Sequence, residues 1–367
     1  MAGHDAPAVR LVISRLRGAN RGSAGQERAC PLRVLGFNEM FPLISEVYVS
    51  DELQALALSG AELAWYRDSP SISPIPMPQA LYTDLDLAIA EFEPELLFVH
   101  WATFAARALP RIEATGLPWA LRVHSFDFDP PAIRALMEHP NCIGAWVYPT
   151  HAAQLPGALA LPPLFTSAPD ASPPVAGRDV VMSASAGLPK KDWDLLLDAL
   201  GRLPGVDRRL IIAISNGFEG IPSELAQRLV GEVHPPLLQV NMQREAVIQL
   251  MCRAAALIYT LVPGKAVAMP MSIVEGLCCG SSVILPDAPG AREVAGPHAR
   301  CYRTAEDIAA HVREVLAGGP AIEVERRENM RFGREHYANP QLYARFAGEV
   351  FGAVERWRAA RGARSSV

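Results

Sequence analysis

Glu275 is a carboxylate set in an otherwise apolar stretch, within MPMSIVEGLCCGSSVILPDAPGAREVAG from Met269 to Gly296. The segment reads as a loop, a short helix, a strand and a second loop. Pro270 suits the turn into the helix, and the Ser272 hydroxyl can cap it. Gly280 can end it, because glycine accepts the left-handed backbone that closes a helix. Backbone N–H groups at that helix start (Met271, Ser272, Ile273) have no carbonyl one turn back, so they could hold a diphosphate. A Glu275 side chain turned into a cleft would accept hydrogen bonds from ribose hydroxyls. Turned elsewhere, it is an ordinary helix-start carboxylate favoured by the helix dipole.

Strands and helices in alternation must position this segment. In the first half, RVLGF from Arg33, then ELAWY, LLFVHW, PWALRVHS and GAWVYPT, read as strands. Helices are predicted at about 45–58, 83–92, 103–115 and 131–138. In the second half, DVVMSAS, RLIIAIS, LIYTLV and SSVILP read as strands. Trp193, Leu196, Leu197 and Leu200 form one apolar helical stripe, and Val247, Leu250, Met251 and Ala254 form another. Ile308, Val312, Val315 and Leu316 mark a third helix. Tyr343, Phe346, Val350, Val354 and Trp357 mark a C-terminal one. Between the halves, Leu155–Asp179 holds Pro156, Pro162, Pro163, Pro169, Pro173 and Pro174, and reads as a linker. The alternation predicts an α/β protein of two Rossmann-like, doubly wound domains facing across a cleft. Ligands bind at the carboxyl ends of such strands.

Composition narrows the classes. The 367 residues suit two domains at roughly 100–200 residues each. A net charge of -5 provides no overall positive field for nucleic acid. The six cysteines form no CxxC pair, and adjacent Cys278 and Cys279 read as packing residues, so a reducing compartment is expected. The N-terminus has no signal-peptide pattern, and Arg17–Arg28 reads as a mobile loop or tail. No run of about 18 apolar residues suggests a membrane span. No GxGxxG follows a strand with an acidic residue at dehydrogenase spacing.

The Met269–Gly296 segment resembles the C-terminal signature of the family 4 retaining glycosyltransferases, which have the GT-B fold. That signature runs from one glutamate, through an apolar stretch, to a second glutamate opening a helix that ends in Cys-Gly. A strand and a Gly-x-x-Glu turn follow. Glu275 matches the second glutamate, Cys279 and Gly280 the Cys-Gly, and Gly290 with Glu293 the turn. Three other pieces agree in order. Phe41–Leu56 (FPLISEVYVSDELQAL) resembles the family's N-terminal loop and helix, where Ser-Glu-x-Phe-Val is common. His124–Phe128 (HSFDF) resembles its His-x-x-Asp loop, and Pro189–Leu200 (PKKDWDLLLDAL) its lysine-bearing loop. The likeness spans residues 33 to 350.

The resemblance implies transfer of a sugar from a nucleoside-diphosphate sugar to an acceptor hydroxyl with anomeric configuration retained. It implies catalytic roles for His124, Lys191 and Glu275, and a donor seat of Lys190, Lys191, Met271, Ser272, Ile273 and Glu275. Lys191 would neutralise the diphosphate, His124 would hydrogen-bond near the transferred sugar, and Asp127 would order its loop. Without the family, Lys191 reads equally as a solvated cation and His124 as a structural histidine. Ser45 and Glu46 are explained as well by helix capping. The N-terminal domain, 1–165, would take the acceptor, whether glycan, lipid, peptide or natural product. The C-terminal domain, 175–340, would bind the donor, and a helix in 341–367 would pack back toward the N-terminal domain. No metal and no other cofactor is implied. A cytoplasmic protein is expected, with peripheral membrane contact as the variant.

Two positions depart from the pattern. The first glutamate should fall eight residues before Glu275, where the chain has Val267 beside Ala268. The arginine that often precedes the phosphate lysine is replaced by Ala186, leaving Lys190 or Lys265 to supply charge. A lost charge-assisted contact costs about 1.5–3 kcal/mol. The rival readings are a degenerate GT-B protein that binds without transfer, and another two-Rossmann enzyme such as a sugar-nucleotide epimerase.

Overall fold

The computed structural model describes residues 31–43, 46–70, 80–124, 127–169, 173–174, 176–187, 190–203, 205, 210–215, 223–231, 235–265, 267 and 269–365. Arg17–Arg28, Cys30, Ser45, Pro189 and Ala268, named above, lie outside the described residues.

The first half runs β1 (Arg33–Met40), α1 (Val47–Leu58), β2 (Glu62–Ser69), β3 (Leu81–Tyr82), α2 (Leu85–Phe92), β4 (Leu96–His100) and α3 (Ala102–Ala114). It continues through β5 (Trp119–Arg122), α4 (Pro130–Met137), β6 (Cys142–Val147), α5 (Pro149–Ala152) and β7 (Leu159–Ala160). The second half runs β8 (Val180–Ser185), α6 (Trp193–Gly201), β9 (Leu210–Ile214), α7 (Ser223–Gly231), β10 (Leu237–Val240), α8 (Arg244–Arg253) and β11 (Ala254–Ile258). Then come α9 (Met271–Cys278), β12 (Ser282–Pro286), α10 (Ala291–Ala295), β13 (Arg300–Tyr302), α11 (Ala305–Ala317), α12 (Pro320–Tyr337) and α13 (Pro340–Ser365).

Two parallel sheets result. The first has the order β3-β2-β1-β4-β5-β6-β7 and the second β10-β9-β8-β11-β12-β13. Every residue of β4, β5, β9 and β11 is buried, because helices cover both faces of each sheet. In each sheet the chain starts in the middle, builds one side, and then crosses to the other. That reversal opens a crevice between β1 and β4, and a second between β8 and β11.

The chain ends on the first sheet. Phe346, Val350 and Val354 of α13 share a core with Phe98 and Trp146, and the Trp146 indole donates to Glu349 at 3.1 Å.

Several elements differ from the sequence reading. β3, β7, β10, β13, α5, α7, α10 and α12 were not predicted, and α10 falls in the second loop read after SSVILP. β7 falls inside the proline-rich stretch read wholly as linker. β11 begins at Ala254, three residues before the predicted strand, because Ala254, Ala255 and Ala256 are small enough to be buried fully in mid-sheet. Ser272 does not cap α9: the N-cap is Pro270, and no side chain bonds there. Gly280 does close α9, with φ +76°.

Candidate functional site

A cavity of about 400 Å³ lies where the carboxyl ends of both sheets converge. Glu46, Tyr48, Trp101, His124 and Tyr148 line it from the first domain. Ala186, Lys190, Lys191, Arg244, Tyr259, Met271, Ser272 and Glu275 line it from the second. The volume falls in the range of small-molecule sites. The fold thus brings Glu275, both lysines, His124, Met271 and Ser272 to one cleft. It leaves Ile273 out: that side chain is fully buried, and its amide donates to the Pro270 carbonyl at 3.0 Å.

Lys191 is 5% exposed, and its ammonium sits 3.2 Å from the centre of the Tyr259 ring. A cation over an aromatic face is attracted but not neutralised. Burial, and then neighbouring Lys190, push the Lys191 pKa well below that of an ordinary lysine. Burial lowers Lys190 to about 8. Lys265 is exposed and does not line the cavity, whereas Lys190 lines it together with Ala186.

Glu275 is buried beneath the start of α9. Its carboxylate accepts from Arg244 Nε at 3.0 Å, and Arg244 Nη2 also donates to Asp51 of α1. Burial raises the Glu275 carboxyl, Arg244 opposes the rise, and Asp51 adds to it. The clamp adds a fixed cation to a carboxylate near the helix start. Sequence reasoning missed Arg244 and Asp51 altogether.

His124 follows β5, and its backbone N–H donates to Asp127 at 3.0 Å. Asp127 also accepts from the Ala102 amide, so it ties two strand-end loops together. Both imidazole nitrogens of His124 have neighbours, His100 and the Tyr148 hydroxyl, each at 3.3 Å. Burial, and then the Arg122 charge, hold His124 neutral. Trp101 covers it at 4.3 Å between ring centres. Trp101 has φ +77°, a strained value for a residue with a side chain, and such strain concentrates at functional sites. Burial, and then Glu39, raise the Glu46 carboxyl to about 7 against a bond from Trp101. Glu46 makes no side-chain cap on α1, so it is a cleft group rather than a capping one.

Beneath this wall lies a buried polar cluster. Glu52, His100 and His124 bring possible ligand atoms within 4.8 Å of one another. The Arg122 guanidinium, fully buried, takes the Glu52 carboxylate at 2.8 Å. A divalent cation there would face that fixed positive charge, so the cluster suits an ion pair better than a metal.

Val267 is buried in the core and does not line the cavity. Its carbonyl explains Gly290: a Cβ there would stand 2.2 Å from the Val267 oxygen, and φ is +85°. Gly290→Ala is expected to cost about 1–3 kcal/mol, read as a lower urea midpoint. An unchanged midpoint would show that the loop yields freely.

Two doubly wound domains with a ligand cleft between their strand ends define the GT-B fold. Solved structures agree. HepE of Anabaena, in complex with UDP-glucose, is similar at a TM-score of 0.65 and 15% identity, over 88% of this chain and 100% of that one. Sucrose-phosphate synthase from Thermosynechococcus elongatus gives 0.60 and 15%, over 92% and 100%. AviGT4, a glycosyltransferase involved in avilamycin A biosynthesis, gives 0.58 and 16%, over 90% and 98%. No protein-family model and no curated protein matches the chain.

Proposed function

We propose that the protein is a glycosyltransferase that moves a sugar from a nucleoside-diphosphate sugar to an acceptor hydroxyl with retention. One observation carries the reading. A buried ammonium with no carboxylate partner among the described residues, Lys191, shares a cleft with a helix start and a buried glutamate. Those are the groups a diphosphate and a ribose require.

In this reading Lys191, Lys190 and the Met271 and Ser272 amides stabilise the departing diphosphate. Glu275 fixes the ribose. The domain of the first sheet, about residues 1–165, presents the acceptor past Glu46, Trp101 and His124, on the leaving-group face of the sugar. His124 serves as a neutral, hydrogen-bonded wall beside the sugar. The lysines and amides balance the leaving charge, so no metal is invoked. Five free cysteines among the described residues support a cytoplasmic location. Among the described residues no helix is long and apolar enough to cross a membrane.

A second reading is a binding protein of this fold without transfer. Val267 in the core and Ala186 without charge favour it. Calorimetric titration with UDP, GDP, ADP, TDP and CDP tests the donor seat. One nucleotide is expected to bind, and Glu275→Ala to weaken it by about 10–100-fold, the worth of bonds to a charged acceptor. No binding to any of the five removes the donor reading. Binding without product across donors and acceptors favours the second reading.

A further inference from the structure

Arg244 is not among the residues that the resemblance marks, yet it stands at the centre of the cleft. It begins α8 in the second domain. Its guanidinium bonds Glu275 of α9 and Asp51 of α1, so it joins the ribose carboxylate to a helix of the other domain. Both carboxylates are buried, Glu275 6% and Asp51 1% exposed. Asp51 is held in turn by the Thr166 amide at 3.1 Å and by its hydroxyl. Arg244 also lies over the Phe165 ring at 5.2 Å. A planar fork between two fixed acceptors, resting on an aromatic face, has little freedom left.

We propose that Arg244 is a positioning residue of this site: seated between Asp51 and Glu275, it orients the Glu275 carboxylate for a nucleotide's ribose and ties that seat to the opposite domain. The inference rests on the nucleotide reading above. A carboxylate accepts from two ribose hydroxyls only when it is ionised and correctly turned. Arg244 supplies both conditions from one contact, and Asp51 holds Arg244 where it can do so. Without Arg244, two buried carboxylates would face each other with no cation between them.

The groups around Glu275 are few. Arg244 comes from α8 and Asp51 from α1. Cys278 and Cys279 lie on and just past α9, and the Tyr343 hydroxyl of α13 faces Asp51 and Arg244. Arg334 of α12 is spent on backbone carbonyls, those of Cys278 and Pro169. Arg244 is therefore the cation that opposes the rise of the Glu275 carboxyl. Without it the Glu275 carboxyl rises further and takes a proton more readily. The ribose seat is then lost at low pH and regained as pH rises.

The test titrates the five nucleoside diphosphates into wild type, Arg244→Leu and Arg244→Lys between pH 6 and pH 8.5. The ratio of Arg244→Leu to wild-type Kd is expected to reach about tenfold or more at pH 6 and to shrink as pH rises. The lysine variant keeps a cation and should give a smaller ratio that is flat with pH. Asp51→Asn in the leucine background should flatten the ratio as well. A ratio constant across pH for Arg244→Leu, or no weakening, overturns the proposal while leaving the nucleotide site intact. Failure of wild type to bind any of the five overturns the nucleotide seat, and this proposal with it.

Discussion

Lys191→Met is expected to weaken nucleoside diphosphate binding by about 10–100-fold and to lower transfer by about 10²–10³-fold. Binding of the bare nucleoside should stay the same. Methionine keeps the length and apolar stem of lysine, so the cavity wall is preserved and only the charge is lost. The Lys191 amine lies on the Tyr259 ring and has no carboxylate beside it among the described residues, so no acid of the protein competes with a ligand for it. A departing diphosphate carries more charge than a bound one, which is why the effect on rate should exceed the effect on affinity. Proton linkage gives an independent check. The Lys191 pKa is depressed in the empty cleft by burial and by Lys190, and a diphosphate would raise it. Binding must then take up a proton at any pH between the two values. Affinity should fall as pH rises through the pKa of the bound state. Titrations in buffers of different ionisation enthalpy would read that proton directly, and Lys191→Met should abolish it. Equal binding of UDP-type ligands by the variant, with proton uptake unchanged, would remove Lys191 from the site.

The elements around the proposed donor seat were legible because their signals are local. Glu275 stands out within an apolar octet, and Gly280 marks the end of that octet by its backbone freedom. The groups that act on Glu275 were not legible. Arg244 opens an amphipathic helix, where arginine ordinarily faces solvent, and its second partner, Asp51, is 193 residues away. A usable signal lay in α1: Asp51 and Glu52 are consecutive acids between Val49 and Leu53, on a helix whose apolar residues are buried. Acids in such a stretch need cations, and Arg244 and Arg122 are the ones they meet. The short strands β3, β7 and β13 have two or three residues, too few to show any period. Helix α12 was missed because it reads as polar all round. Its buried polar side chains satisfy distant carbonyls: Arg326 donates to Val315 at 3.2 Å and Asn329 to Ser281 at 3.1 Å. Nothing in the local sequence announces those partners.

Arg122→Met is expected to destabilise the first domain by about 3–5 kcal/mol above neutral pH, the usual cost of stranding one partner of a buried ion pair. Glu52→Gln should cost less, and the difference should depend on pH. The pair is fully buried, so removing either charge leaves the other without water. The two survivors differ in what they can do next. Arginine cannot release its proton, so Glu52→Gln leaves a cation at every pH. It would stand near His100 and His124, which cannot compensate because burial keeps both neutral. Glutamate can take a proton and become neutral. Burial already raises the Glu52 carboxyl to about 7 even with Arg122 on it. Without Arg122 its folded pKa must be higher still. The sign follows from linkage. A carboxyl whose folded pKa lies above its unfolded value contributes stability below the unfolded pKa and loses it as pH rises through the folded one. Arg122→Met should therefore be nearly tolerated at pH 5 and become progressively unstable above pH 7. Glu52→Gln should differ little from wild type at pH 5, where the wild-type carboxyl already carries a proton. Replacing both at once, with Glu52→Leu and Arg122→Met, should recover most of the loss, because no buried charge then remains. Urea midpoints at pH 5, 7 and 8.5 would read all three variants. If the two single variants track one another at every pH, the pair is not isolated from solvent, and the cluster behind His124 is open to water rather than sealed beneath the cleft.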